Sequence, residues 1–244
     1  MNQRAYGALL SYASIFINMG IALAFTPFLV SHLGKNEFGL FNIVGSFAAY
    51  LVVLDMGMND SVIRYLLQHK ARGDKKLEKN FLANTFVFYS LLASLVALLG
   101  GWLYLSMESL FAATLSPSEI ASLKTMTWII VASAVVTVVT NPVGAYITSR
   151  QRFVFLTLST IVLRIMTTII LVIFLYLGYK AVTVVAVTAL MSMGFVLMKI
   201  AYASGSLEMR VKLYNFDPTQ ITKLLKYSAP IFIVVLTEVM FWKP

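Results

Sequence analysis

The chain has 244 residues, 59% of them hydrophobic, with 19 Lys or Arg, 10 Asp or Glu, a net charge of +9 and a mean hydropathy of +0.84. No water-soluble globule of this length needs that balance, so the sequence reads as a polytopic membrane protein. With no cysteine there is no disulfide framework, thiol nucleophile or thiolate-bound metal, and the two histidines, His32 and His69, fall near predicted loops, which sets metal chemistry aside.

A hydrocarbon core about 30 Å thick takes roughly 20 apolar helical residues per crossing. Apolar runs predict seven spans, at 9–32, 41–65, 81–105, 126–148, 155–178, 181–202 and 227–242, joined by short polar connectors into an all-α bundle. Arg4, the apolar run after it and the small triplet Ala22, Leu23, Ala24 imitate a cleaved secretory signal. A retained first span is the better reading, because Asn18 interrupts the would-be signal core and the apolar run continues to Leu33. Pro27 is expected to kink this span, since it removes a backbone donor and crowds the preceding turn.

In the second span an ionisable group, Asp55, sits roughly 21 Å from the helix start at Phe41, while Asp60 and Arg64 lie about 28 and 34 Å along. Only Asp55 is therefore deep. Asp60 and Arg64, four residues apart with the acid first, are placed to pair at the interface, where Arg64 can also snorkel. Gly57 offers a bend or a local unwinding beside Asp55.

Between the second and third spans, the basic loop at 69–80 is interleaved with Asp74 and Glu78 and lacks an aromatic platform, which argues against nucleic acid. It reads as a solvated loop in reach of anionic headgroups. Lys and Arg are concentrated in this loop, at Arg4, at Arg150 and Arg152, and from Arg210 to Lys226, whereas the opposite loops hold Lys35, Lys124, Lys180 and Lys243. Positive loops stay inside, so the amino terminus is expected in the cytoplasm. Trp102, Tyr104, Trp128, Tyr176, Tyr179 and Trp242 near the outer interface, with Tyr202 and Tyr227 near the inner one, read as an anchoring aromatic belt.

The fourth span carries a polar stripe, Thr137, Asn141, Gly144 and Thr148, and the first carries Ser11, Ser14 and Asn18. In the fifth, Thr157, Thr160, Arg164 and Thr167 recur at helical spacing, with Arg164 about 17 Å into the span and so near the bilayer midplane. Ordinary helix packing accounts for small and hydroxyl residues. It does not account for an arginine at that depth, so three half-polar helices point to a hydrated, cationic cavity. In the seventh span Glu238 lies about 17 Å from Tyr227. That span begins near Pro230 and the chain stops at Pro244, which leads us to expect a piece of a longer transporter.

The run from Ser11 to Leu66 holds Pro27-Phe28-Leu29-Val30, then Leu33-Gly34 followed by Glu37-Phe38-Gly39, then Leu54-Asp55-Met56-Gly57-Met58 and Arg64-Tyr65. In these residues it resembles the start of the Wzx-type polysaccharide flippases, members of the multidrug, oligosaccharidyl-lipid and polysaccharide exporter superfamily. Asn141-Pro142 and Tyr227-Ser228-Ala229-Pro230 extend the likeness more loosely. The resemblance implies two six-helix lobes around a central cavity. Residues 1–203 would be the amino-terminal lobe, 204–226 a cytoplasmic linker and 227–244 the start of a second lobe.

It also implies a function: moving an oligosaccharide on polyprenyl pyrophosphate across the bacterial cytoplasmic membrane, with no enzymatic step. Arg164 would compensate the pyrophosphate, Arg4 and Arg64 would form an inner vestibule, and Asn18 would join the substrate-binding set. Asp55 or Glu238 would exchange a coupling proton or sodium ion, and Pro27, Gly57 and Pro142 would break helices for alternating access. No other cofactor is implied. The implied partners are the lipid-linked oligosaccharide, membrane lipids, and the polysaccharide polymerase and assembly proteins, and not nucleic acid. Two rival readings are a cation-coupled multidrug exporter of the same superfamily and an inactive fragment or scaffold. A membrane glycosyltransferase or acyltransferase would need paired outer carboxylates, a HExxH or a glycine-rich phosphate loop, and the chain has none of them.

Overall fold

The computed structural model describes residues 3–53, 58–222, 224–226, 228 and 237, the side chains of 3–9 and 50–53 apart. Its elements are α1 (Gln3–Val53), α2 (Met58–Ala71), α3 (Lys75–Phe111), α4 (Pro117–Ser149), α5 (Phe153–Tyr176) and α6 (Ala181–Gly205), and no strand occurs among the described residues. The described residues of 218–228 are helical as well.

The apolar part of α1, Leu10–Ala49, is 40 residues long. At 1.5 Å per residue that is about 60 Å, twice the hydrocarbon thickness, so it holds two crossings. The divider is Gly34, whose φ of 73° and ψ of 172° lie where a Cβ is not tolerated. The first two predicted spans fall on either side of it. The helices assigned here continue through Pro27 and Pro142, so neither proline ends its helix. Several helices outrun their predicted spans: α2 continues past Tyr65 to Ala71, and α3 and α4 add turns beyond 81–105 and 126–148. Hydropathy detects only the part of a helix that lies in hydrocarbon, and the polar extensions are set by caps. Asp74 Oδ1 accepts from the Lys76 and Leu77 amides at 3.0 and 2.9 Å and starts α3. Ser116 and Glu119 form a reciprocal capping box at the start of α4, with Ser116 N to Glu119 Oε2 at 2.9 Å and Glu119 N to Ser116 Oγ at 3.4 Å.

The outward faces of these helices are apolar: Phe16 is 74% exposed, Leu98 71%, Leu105 76% and Leu190 68%. In water such surface would drive aggregation, whereas in a bilayer it is the solvent-facing side. Among the described residues, five helices are long and apolar enough to cross a membrane, the α1 stretch counted once.

The chain gathers into two compact units, each drawn from three segments. The first comprises Met1–Phe47, Leu98–Ser133 and Gln151–Phe195. Its core joins Leu29, Leu33, Leu40 and Val44 of α1 to Met107 of α3, Leu123 and Met126 of α4, Leu171 and Leu175 of α5 and Val184 and Val185 of α6. Close approach of α3 and α4 depends on Gly100, where an added Cβ would meet Val131 Cγ2 at 2.4 Å. Polar fasteners tie its loop ends: Glu37 Oε2 accepts from the Ala181 amide at 3.2 Å, Asn36 donates to Glu119 at 3.3 Å, and Lys124 pairs with Glu108 at 2.9 Å.

The second unit comprises Ala48–Ala97, Ala134–Arg150 and Val196–Pro244. Met58, Val62, Leu66, Phe81, Leu82, Tyr89, Ile147 and Leu224 are buried in it. The segment after α6 is held against α3 by two buried asparagines. Asn80 Oδ1 accepts from the Tyr214 and Asn215 amides at 2.8 and 3.0 Å, while Asn84 donates to Asn215 O at 3.2 Å and accepts from the Asp217 amide at 3.3 Å. Ser61 of α2 and Ser228 share a buried hydrogen bond of 2.8 Å.

Candidate functional site

Arg164 stands midway along the 24-residue α5, exposed, with Ile161 and Thr167 of the same helix buried. The threonines around it donate to their own helix: Thr160 to Leu156 O at 2.8 Å, Thr167 to Leu163 O at 2.7 Å and Thr168 to Arg164 O at 2.9 Å. Their hydroxyl protons are thereby committed, and what they offer outward is lone pairs. An anion at this height of α5 would be held by the Arg164 guanidinium. Arg164 has no ion pair among the described residues.

Asn18, in the same unit, is half-buried on α1 and donates to Ser14 O and Oγ at 2.8 and 3.2 Å. On α4, Thr140 and Thr148 likewise donate to Val136 O and Gly144 O, at 2.8 and 3.0 Å, in the second unit. Arg64 is exposed on α2, also in the second unit, and already makes an interaction. Asp55, Gly57 and Glu238 lie outside the described residues, and of Arg4 only the helical backbone is described.

Sequence reasoning missed a second feature. The stretch 69–80, expected as a loop, is the end of α2, a turn at 72–74 and the start of α3; it packs against the end of α4 and the segment after α6, and between them lies a cavity of about 550 Å³. Its lining includes Lys70, Lys75, Glu78, Lys79, Tyr146, Arg150, Glu208 and Arg210. The anchor is Arg150, which donates through Nη2 to Glu78 and to the Tyr146 hydroxyl, the latter at 2.9 Å, and lies 4.7 Å from the Tyr146 ring centre. Tyr146 in turn donates to Leu207 O at 3.2 Å. Glu78 is only 8% exposed, so its charge is stabilised chiefly by this arginine. Arg150 Nε is buried and has no acceptor among the described residues. The hints available in the sequence were an acid inside a basic loop and a tyrosine four residues before an arginine.

Beside this cavity element, His69 lies with its ring 5.3 Å from Phe81, and its Nδ1 is buried without a described partner. Burial, and then the charge of Arg72, push its pKa below the ordinary value of 6.5, against the opposing pull of Asp74 and Glu78.

The fold is similar to that of a solved multidrug-resistance transporter of the MATE family, in the MOP superfamily, in an outward-facing conformation. The match has a TM-score of 0.71 at 17% identity and covers 96% of this chain and 54% of that one, so this chain spans about half the length of the transporter it matches. No curated protein matches the chain. The family profile of the polysaccharide biosynthesis proteins matches residues 5–243, in keeping with the flippase resemblance of the amino-terminal motifs. With an all-helical transporter fold and a family match over nearly its whole length, the chain belongs to the polysaccharide biosynthesis protein family.

Proposed function

We propose that this chain forms the amino-terminal lobe of a flippase that carries polyprenyl-pyrophosphate-linked oligosaccharide from the inner to the outer leaflet of the bacterial cytoplasmic membrane. Family and fold point to a transporter rather than an enzyme. The observation that carries the cargo assignment is Arg164, an exposed guanidinium midway along a span with no other charged residue. A cation kept at that depth is expensive unless an anion or water meets it, and a pyrophosphate supplies the anion while the lipid tail stays in hydrocarbon.

In this reading Arg4 and Arg64 form the inner vestibule and Asn18 contacts cargo. Asp55 or Glu238 exchanges a proton or sodium ion, and Pro27, Gly57 and Pro142 provide the bends of alternating access. Residues 204–226 link this lobe, 1–203, to a second one starting at 227. The polymerase and assembly proteins receive the product.

The test is lipid-linked oligosaccharide accumulation on the inner leaflet when the gene is depleted, with rescue by wild type and by Arg164→Ala. Rescue by wild type alone supports the assignment, and full rescue by Arg164→Ala refutes the role of that arginine. An absence of accumulation favours the drug exporter or a scaffold. The solved neighbour is a multidrug transporter, but a cationic drug would be repelled by Arg164, and resistance profiling of an overexpressing strain separates the two. Because the chain has no cysteine, single cysteines at the exposed Arg72 and Ala113 report orientation by reagent labelling without background. An inside amino terminus predicts that the Arg72 position is shielded in intact cells and the Ala113 position is reactive.

A further inference from the structure

We infer that the basic cavity of the second unit is a binding site for a phosphate-bearing anion, separate from the cargo position at Arg164. The charges on its wall do not balance. Glu78 is taken up by Arg150, which leaves Lys70, Lys75, Lys79 and Arg210 facing one further acid, Glu208. None of these four cations forms an ion pair among the described residues. Four like charges around a concave, partly enclosed space repel one another and attract a multivalent anion.

The wall is also built. The Arg150–Glu78–Tyr146–Leu207 chain of bonds fixes the arginine, and Arg150 Nε is a buried donor still lacking an acceptor. A volume of about 550 Å³ falls within the roughly 300–1,000 Å³ of small-ligand pockets. Leu82 and Leu207 are the aliphatic side chains on the wall, which suits a hydrated headgroup and not an acyl chain. A carboxylate would neutralise one charge of the surplus of three, whereas a diphosphate neutralises most of it. Two sources share this chemistry: a free or carrier-borne diphosphate, and the headgroup of an anionic phospholipid.

The test uses the purified 244-residue chain. Inorganic pyrophosphate is titrated calorimetrically into protein in zwitterionic detergent at constant ionic strength, with acetate as the comparison anion. In parallel, lipid retention is read by native mass spectrometry from phosphatidylcholine nanodiscs with and without phosphatidylglycerol. Pyrophosphate binding that weakens about tenfold in Lys79→Gln/Arg210→Gln and tightens a few-fold in Glu208→Gln supports a diphosphate source. Retention of phosphatidylglycerol alone, lost in the same double variant, supports a lipid headgroup. The opposite signs separate charge recognition from unfolding, since damage to the fold would weaken both variants. Binding no stronger than that of acetate together with unchanged lipid retention, or binding indifferent to all three substitutions, overturns the inference. Because binding is read without transport, the outcome is independent of the flippase assay on Arg164.

Discussion

Replacing Gly100 by alanine probes the one described glycine whose added Cβ would meet a neighbouring side chain. The new Cβ would lie 2.4 Å from Val131 Cγ2, 2.7 Å from Cγ1 and 3.1 Å from Cβ, so all three atoms of the isopropyl group stand in the way. Valine on a helix has essentially one χ1 rotamer, and the clash cannot be relieved by turning it. Either α3 and α4 separate by about 1 Å or the valine leaves its rotamer, and overpacking of this kind costs about 1–3 kcal/mol. Helix propensity opposes this, because alanine is better than glycine by about 1 kcal/mol in a helix interior. The net expectation is a loss of up to about 2 kcal/mol, read as a fall of up to several degrees in the thermal unfolding midpoint in detergent. Gly101 supplies the control, since nothing lies within 4 Å of its would-be Cβ, and Gly101→Ala should be neutral or stabilising. Gly100→Ala with Val131→Ala should recover part of the loss, a coupling that a double-mutant cycle measures. The reasoning is refuted if Gly100→Ala is as stabilising as Gly101→Ala, or if Val131→Ala gives no relief.

Arg150→Gln should destabilise by about 2–3 kcal/mol, the lower end for a broken buried pair because the arginine side chain keeps 23% exposure, and Glu78→Gln/Arg150→Gln should restore much of it in denaturant titrations. Asn80→Ala leaves two backbone amides without their acceptor, a loss of about 1–3 kcal/mol, and limited proteolysis should then cut within 206–217, whereas Asn80→Asp should protect that segment. Because the folded-state pKa of His69 lies below 6.5, the unfolded chain binds the proton more readily and stability falls as pH drops through 6.5 toward the folded value. Above 6.5 the effect is absent, and His69→Gln should flatten that part of the stability profile, with the histidine ring titration followed by NMR.

The sequence by itself determined the membrane class, the all-helical architecture and the family, because a bilayer demands apolar runs of set length and because the motifs around Gly34 and Arg64 are local strings. It also separated the first two spans at 33–40, where the apolar run breaks, and the structure puts the divider inside that gap at Gly34. It exposed Arg164 as an anomaly but could not say what faces it, since a helix in lipid is apolar on every outward side and hydrophobic periodicity no longer distinguishes a packed face from a lipid-facing one.

The basic stretch at 69–80 is the clearest case that only tertiary structure decided. Read locally, it is a solvated run of charges. Folded, Glu78 meets Arg150 across 72 residues and Asn80 grips the Tyr214 amide across 134. Partners so far apart in sequence leave no periodic trace, and whether a lysine faces water or a shared cavity depends on which segments the fold brings beside it.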